Sequence, residues 1–492
     1  MKKYKIILLL VIASISLNSC SEDVMDDINT NVNNPTDVPT RYAITDAMTS
    51  TAFSNTASEQ AFYTGVYVEL NAGGFGQMYN AEVRNGEPQN QTTFNNPWNS
   101  QYQTMYNLKL IIEKCSTGAE KGNYTTLGIA QILYAYNLAM LTDMYGDVPF
   151  SEAFQPGVIF QPKLDRQQDL YKTIFATLED AIVNLGKTSS YPVLGTQDII
   201  YYKLTDTEPV HISKWIKTAN GLLARYTLRL SFKNPDYAKV LTYVSKSFTD
   251  KSEEFKMKNA GIPNPYSQFK IDRNYLFASK SLFDKLNARA NDPRTTGYFE
   301  KIQISKGAPF TYEFYVNGVS PQSQTYSYSA LLNASNPIFM LSYHELLFIK
   351  AEAEARNSAA VTSTTSLTAA VNAAFNKDEV KNFSTANATT YVAGLNILTN
   401  ADLLKEIAVQ KYFSFYENET VEAYNDYRRL LAMYGSVAAH PIQLANPKNA
   451  TQFPLRLPYG NSDVSTNPNV KAAFGDGTYV YSEKVWWAGG TR

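Results

Sequence analysis

The sequence predicts an all-α protein whose helices come in adjacent pairs, joined by long irregular segments. Three observations carry this. Apolar residues recur at helical spacing through most of the chain. The helices lie next to one another in pairs of ~34 residues. Two stretches, 66–97 and 259–336, lack helical pattern but are rich in aromatics, amides, Gly and Pro. Loops of that length in a compact domain are functional or disordered, and the aromatic content argues against disorder.

Each element follows from its own residues. After Asp165, the positions Leu170, Ile174, Leu178, Ile182 and Leu185 share one helical face. Asp165 and Gln168 predict a capping box at its start, and Gly186 a C′ glycine at its end. The preceding stretch TTLGIAQILYAYNLAMLTDMYG is apolar nearly all round, so it predicts a central helix closed by Gly146. The run 338–356 predicts a helix with Ser342, Glu345, Glu352 and Arg356 on a polar stripe, where Glu352 and Arg356 pair one turn apart. The run 401–419 buries Leu403, Leu404, Ile407, Ala408, Tyr412 and Phe415, with Thr399 and Asp402 as its cap. Residues 98–115 and 211–231 also predict helices. The pairs are 125–145 with 166–185, 340–357 with 362–376, and 401–418 with 420–433. They suggest tetratricopeptide-like units, with a plain antiparallel bundle as the alternative.

The N-terminus has another character. Lys2, Lys3 and Lys5 precede an apolar run from Ile6 to Ala13, which predicts a signal peptide over residues 1–19. The run is too short to span a bilayer. Leu17-Asn18-Ser19-Cys20 looks like a bacterial lipobox, with Asn18 a slight departure, so Cys20 is the expected lipidation site. The alternatives are a cysteine inside an ordinary signal peptide or a disulfide to Cys115, the only other cysteine, and one bridge is a poor framework for 492 residues. Glu22, Asp23, Asp26 and Asp27 follow at once, and the polar stretch to Thr40 predicts a tether over 20–40. Residues 41–492 then form a single domain.

Composition removes several classes. Without residues 1–19 the chain keeps 41 basic against 45 acidic residues, and no basic stripe, so nucleic acid is not an expected partner. The 35 tyrosines outnumber the 24 glycines. Tyrosine joins a flat apolar face to a polar tip, which suits wet recognition surfaces. Catalytic signals are scarce. The histidines are His211, His344 and His440. His344-Glu345-Leu346-Leu347-Phe348 lacks the second His of a zinc-protease helix. No nucleophile elbow, phosphate loop or dinucleotide fingerprint occurs, so no catalytic residue, metal or cofactor is expected. A carboxylate pair for glycoside cleavage stays open, because that signal is a distance in space.

Seven stretches, in order, carry a resemblance: WNSQYQTMYN (98–107), LTDMYGDVPFSEAF (141–154), KWIKTANGLLARYTLRLS (214–231), SLFDKLNARANDPR (281–294), PIFMLSYHELLFIKAEA (337–353), EAYNDYRR (422–429) and FPLRLPYGNSDVSTNPNV (453–470). With the lipobox and acidic tether, the chain resembles the SusD/RagB family of surface nutrient-binding lipoproteins, in its SusD-like branch. That resemblance implies a scaffold of about four tetratricopeptide-like pairs, with irregular loops and minor β structure on one side. It implies a lipid-anchored place on the outer face of the outer membrane and a partner, a SusC-like TonB-dependent barrel. The lipoprotein would sit over the barrel as a lid, capture a glycan or, in some members, a peptide, and deliver it without making or breaking a bond. A surface glycoside hydrolase and a lid with no free ligand are the other classes.

A sugar ring offers an apolar C–H face and a rim of hydroxyls, which aromatic rings and amides or charged groups match. The first irregular stretch therefore offers Phe75, Tyr79, Arg84 and Asn85 as ligand residues, and the second Tyr312, Tyr315, Tyr326 and Tyr328. Alternation in YEFYV also fits a short strand, in which case half of those rings are core. Trp98 and Trp215 are read as packing, and Trp486-Trp487 as an anchor into the core. Asp292, Arg294, Arg428 and Arg429 are read as structural pairing, with a place at the transporter interface as the second reading.

Overall fold

The computed structural model describes residues 38–258, 261–323, 325–357, 363–377, 381–383, 386–417 and 419–492. The expected signal peptide, Cys20 and most of the tether lie outside them. The fold begins slightly earlier than expected, because Thr40 is already buried at the start of α1 (Thr40–Thr49). Its N–H and hydroxyl donate to the two Glu120 oxygens at 2.9 and 2.5 Å, Asn123 Nδ2 donates to its Oγ1, and Lys114 Nζ donates to Val38 O.

The protein is all-α with small sheets. The helices that matter below are α2 (Glu59–Tyr67), α3 (Gly76–Glu82), α4 (Asn95–Ser116), α5 (Tyr124–Tyr145), α6 (Gln167–Leu185), α7 (Glu208–Arg229), α8 (Tyr237–Val244), α9 (Pro265–Asp272), α10 (Lys280–Asn287), α11 (Tyr343–Asn357), α12 (Thr365–Phe375), α13 (Asn400–Ser414) and α14 (Thr420–Tyr434). Consecutive helices pack on each other as α4 on α5, α5 on α6, α7 on α8 and α11 on α12, the tetratricopeptide-like pairing. The all-round apolar α5 is central, with α4, α6 and α7 against it, and nearly every residue from Thr126 to Tyr145 is buried. Gly146 closes it at φ +78°, where the Arg456 guanidinium occupies the space a Cβ would take.

Two predicted helix ends differ. Arg166, not Asp165, is the N-cap of α6. The Asp165 carboxylate instead accepts the N–H groups of Phe150 and Ser151, at 3.0 and 2.8 Å, and so fastens the strand pair β2 (Val148–Pro149) and β3 (Leu164–Asp165). Asp147 serves the helix start by accepting from Gln167 N–H at 2.8 Å. Gly186 is right-handed (φ −79°), so α6 ends without a left-handed glycine. The cap at Thr399 and Asp402 is a full capping box.

The helix expected from residue 338 begins at Tyr343. Residues Ile338–Leu341 form a strand, β6, antiparallel to β4 (Phe255–Met257). A continuous apolar run buried on both faces carries no period that separates strand from helix. The polar stripe of α11 is also not a solvent face: Glu345 and Glu352 are buried. Arg225 grips Glu345 through Nε (2.8 Å) and Nη2 (2.5 Å). Arg429 grips Glu352 at 2.8 and 2.7 Å and Asp426 at 2.9 Å. Arg229 bonds Glu422, and Lys411 reaches Asp426 at 2.9 Å. Burial resists ionisation of Glu352, but Arg429 and Arg356 outweigh it and hold its pKa down to about 2. The helices α7, α11, α13 and α14 thus meet around ions, not only around apolar side chains.

Candidate functional site

The two irregular stretches build one face. Strand β1 (Asn71–Gly73) pairs antiparallel with β5 (Leu276–Ala278), which brings residues 71–85 beside residues 275–328. Gly74 follows β1 because a Cβ there would lie 2.3 Å from the Phe277 ring. The chain then turns Phe75 outward, with its ring edge-on to Phe277 at 5.6 Å, and starts α3. Tyr79, half-buried on α3, reaches Ser320 Oγ with its hydroxyl at 3.2 Å.

Glu82, at the end of α3, is the clamp of this face. One carboxylate oxygen accepts from Gly73 N–H (3.0 Å), the other from Gly318 N–H (2.7 Å) and Asn317 Nδ2 (3.3 Å). Burial pushes its pKa up to about 7, against the pull of Arg84 and the Gly73 N–H. Asn317 in turn accepts from Ser279 Oγ and Ser281 N–H, so one buried carboxylate links four chain segments.

The YEFYV segment splits as its alternation allows. Tyr315 is buried with Tyr326, Ala72 and Phe277 in a separate small core. Its hydroxyl donates to Val319 O, and Tyr326 Oη accepts the N–H groups of Gln322 and Ser323 at 2.6 and 2.7 Å. On the other face Tyr312 stacks on Phe314 (5.7 Å, 18°), and Phe314 on Phe283 (4.1 Å, 19°). Burial, and then the Glu300 charge, raise the Tyr312 phenol pKa. Phe310, 64% exposed, lies two residues before this ladder. Tyr328, half-buried, carries the Lys270 ammonium 3.2 Å above its ring.

Of the eight expected ligand residues, Phe75, Tyr79, Asn85, Tyr312 and Tyr328 keep exposed surface. Arg84, Tyr315 and Tyr326 are turned inward, which corrects their reading as ligand groups. Arg84 sits at φ +55°, and that turn sends its guanidinium under the face, over the Tyr67 ring and onto Asn449 Oδ1 at 3.0 Å. Sequence reasoning missed Glu82, Phe283, Phe310 and Phe314. Phe314 was within reach, because it shares the Tyr312 side of the same alternation. Glu82 carries no such signal, since its partners are two backbone N–H groups and the Asn317 amide, with no pattern in sequence.

The remaining singled-out residues are internal. His344 is buried 2.8 Å from Glu419, and burial lowers its pKa to about 4. Among the described residues no group of His, Cys, Asp and Glu is arranged to hold a metal ion. Trp98, Trp215 and Trp487 are buried, and Trp487 Nε1 donates to Asp143 at 2.8 Å. Asp292 and Arg294 form a bidentate buried pair, and Arg428 donates to Leu455 O and Asp143 O. All four residues, Asp292, Arg294, Arg428 and Arg429, are buried, in keeping with structural pairing. Cys115 is a buried free thiol, with no disulfide among the described residues, and no described helix is long and apolar enough to cross a membrane.

The sequence profile of a family described as SusD-like, starch-binding and associating with the outer membrane matches residues 32–460. The chain belongs to the SusD-like family. Among solved structures it is similar to a SusD/RagB family protein from Bacteroides thetaiotaomicron VPI-5482, with TM-score 0.81 and 37% identity over 93% of this chain and 100% of that one. At lower identity it shares the fold of a chitin-binding SusD homolog from Flavobacterium johnsoniae (18% identity, TM-score 0.69, 91% of this chain and 98% of that one). It shares it also with a protein described as chitin-binding (23% identity, TM-score 0.71, 91% and 99%). No curated protein matches the chain. Within the SusD-like fold, the irregular segments around β1, β5 and the Tyr312 ladder present rings and amides.

Proposed function

We propose that this SusD-like protein captures a glycan on the ring face and passes it, as a lid, to a SusC-like TonB-dependent barrel in the outer membrane. The observation that carries this is the set of partly exposed rings, Phe75, Tyr79, Tyr312 and Tyr328, held on a rigid base in a family described as starch-binding. Ring faces stack on sugar C–H groups, and each ring loses little rotamer entropy because it has two χ angles. Neighbours described as chitin-binding support a carbohydrate over a peptide. In this reading Cys20 carries the lipid, several acyl chains give stable anchoring, and the acidic tether places the domain on the cell surface. The function is binding, not catalysis.

The test is calorimetry of the lipid-free mature chain against maltoheptaose and chitohexaose. Binding by the parent protein, lost in Tyr79→Ala with helical content intact, supports the reading. No binding by the chain alone or in complex with its co-expressed barrel overturns it, and new reducing ends would turn it into a hydrolase.

A further inference from the structure

A second aromatic site lies away from that face and shares no residue with it. Trp98, Tyr102 and Tyr106 are spaced one turn apart along α4, so their side chains line one stripe of the helix. The ordinary fate of such a stripe is burial under a neighbouring element. Here only Trp98 is covered, while Tyr102 and Tyr106 stay half-exposed in an open groove of about 570 Å³. The opposite wall is the loop after β2, where Phe154 holds φ +59°, a conformation that costs a non-glycine residue free energy. That turn sets the Phe154 ring nearly parallel to Tyr106 (6.3 Å, 19°) and close to Tyr102 (5.8 Å). Trp98 follows Tyr102 at 4.9 Å. The rings are fixed from behind: Tyr102 Oη donates to Pro149 O at 2.8 Å, and Trp98 Nε1 to Asp463 Oδ2 at 2.7 Å.

The polar groups lining the groove beside the tyrosines are amides, the Ser462 hydroxyl and one carboxylate. Asn99 accepts from Ser462, which leaves its amide N–H groups for a ligand. Gln103 donates to Asn107, which leaves its carbonyl. Gln155 and Asp463 complete the rim, and no Lys or Arg lines the groove. Apolar ring faces with amide donors and acceptors match C–H faces edged by hydroxyls, and the lone carboxylate disfavours anions.

We propose that this groove is a second carbohydrate subsite, taking neutral sugar units, which binds independently of the loop face. The test is hydroxyl-radical footprinting of the mature chain with maltoheptaose and with chitohexaose. Expected is protection of Tyr106 and Phe154 by at least one probe, kept in Tyr79→Ala, where the loop face is impaired. Phe154→Gly, which suits the backbone angle, should lower the apparent affinity at Tyr106 at least tenfold. Unchanged oxidation of both residues with both probes overturns the proposal. So does protection that vanishes in Tyr79→Ala, or protection conferred only by the co-purified barrel, which would make the groove a protein contact. If Phe154→Gly does not fold, the footprints of the parent chain and Tyr79→Ala decide alone.

Discussion

The helical part and the loop face solve opposite problems. Where α7, α11, α13 and α14 meet, Arg225, Arg429, Glu345, Glu352 and Asp426 are sealed from water, and each is matched by charge. On the loop face the expected ligand side chains with exposed surface are rings and an amide, and the buried Glu82 carboxyl is held by backbone N–H groups and the Asn317 amide. The first arrangement suits rigidity, because removing one partner strands another charge. The second suits reversible contact, because an exposed ring is removed without consequence for its neighbours.

Four measurements sharpen that contrast. The largest effect is expected for Arg429→Ala, which leaves Glu352 and Asp426 buried without their main cation. It should cost ~3–5 kcal/mol in denaturant unfolding, and a loss under 1 kcal/mol would break the comparison. Next is pH. Burial lowers the His440 pKa to about 4 between Tyr427 O and Ile442 O. The unfolded chain therefore binds the proton first, so the stability this group contributes is complete above pH ~6.5 and is lost as pH falls toward 4. His440→Gln should flatten the acid limb of the stability curve by up to ~3 kcal/mol. Third, Glu82→Gln turns an acceptor into a donor against Gly73 or Gly318 N–H. It should cost ~1–3 kcal/mol and also weaken glycan binding, whereas Arg429→Ala, measured below its unfolding transition, should leave binding unchanged. The smallest effect on stability belongs to Tyr312→Ala, within about 1 kcal/mol. Its glycan affinity should fall about tenfold, or ~1.4 kcal/mol; equal affinity would remove the ladder from the site.

Much of the helical half was legible, because burial on one face imposes a period that residues such as Leu170, Ile174 and Leu178 display directly. What escaped was the sign of a polar stripe. Glu345 facing Arg225 across a helix pair looks, in sequence, the same as Glu345 facing water. Strand β6 escaped because Ile338–Leu341 is apolar at every position, which suits burial in either conformation. On the loop face, composition marked the right segments but not the right side of them. Alternation separates Tyr312 from Tyr315 yet cannot say which of the two looks outward, and the inward turn of Arg84 depends on a backbone angle that no side-chain pattern encodes.

The clasp at Thr40 has a mechanical corollary. The chain enters the fold where Glu120, Asn123 and Lys114 hold Val38 and Thr40 through several bonds at once. A tug from the residues ahead of Val38 is then shared by that knot at the α4–α5 corner, far along the sequence from the Tyr312 ladder. A load applied there should strain the α4–α5 corner first and leave the Tyr312 ladder undistorted.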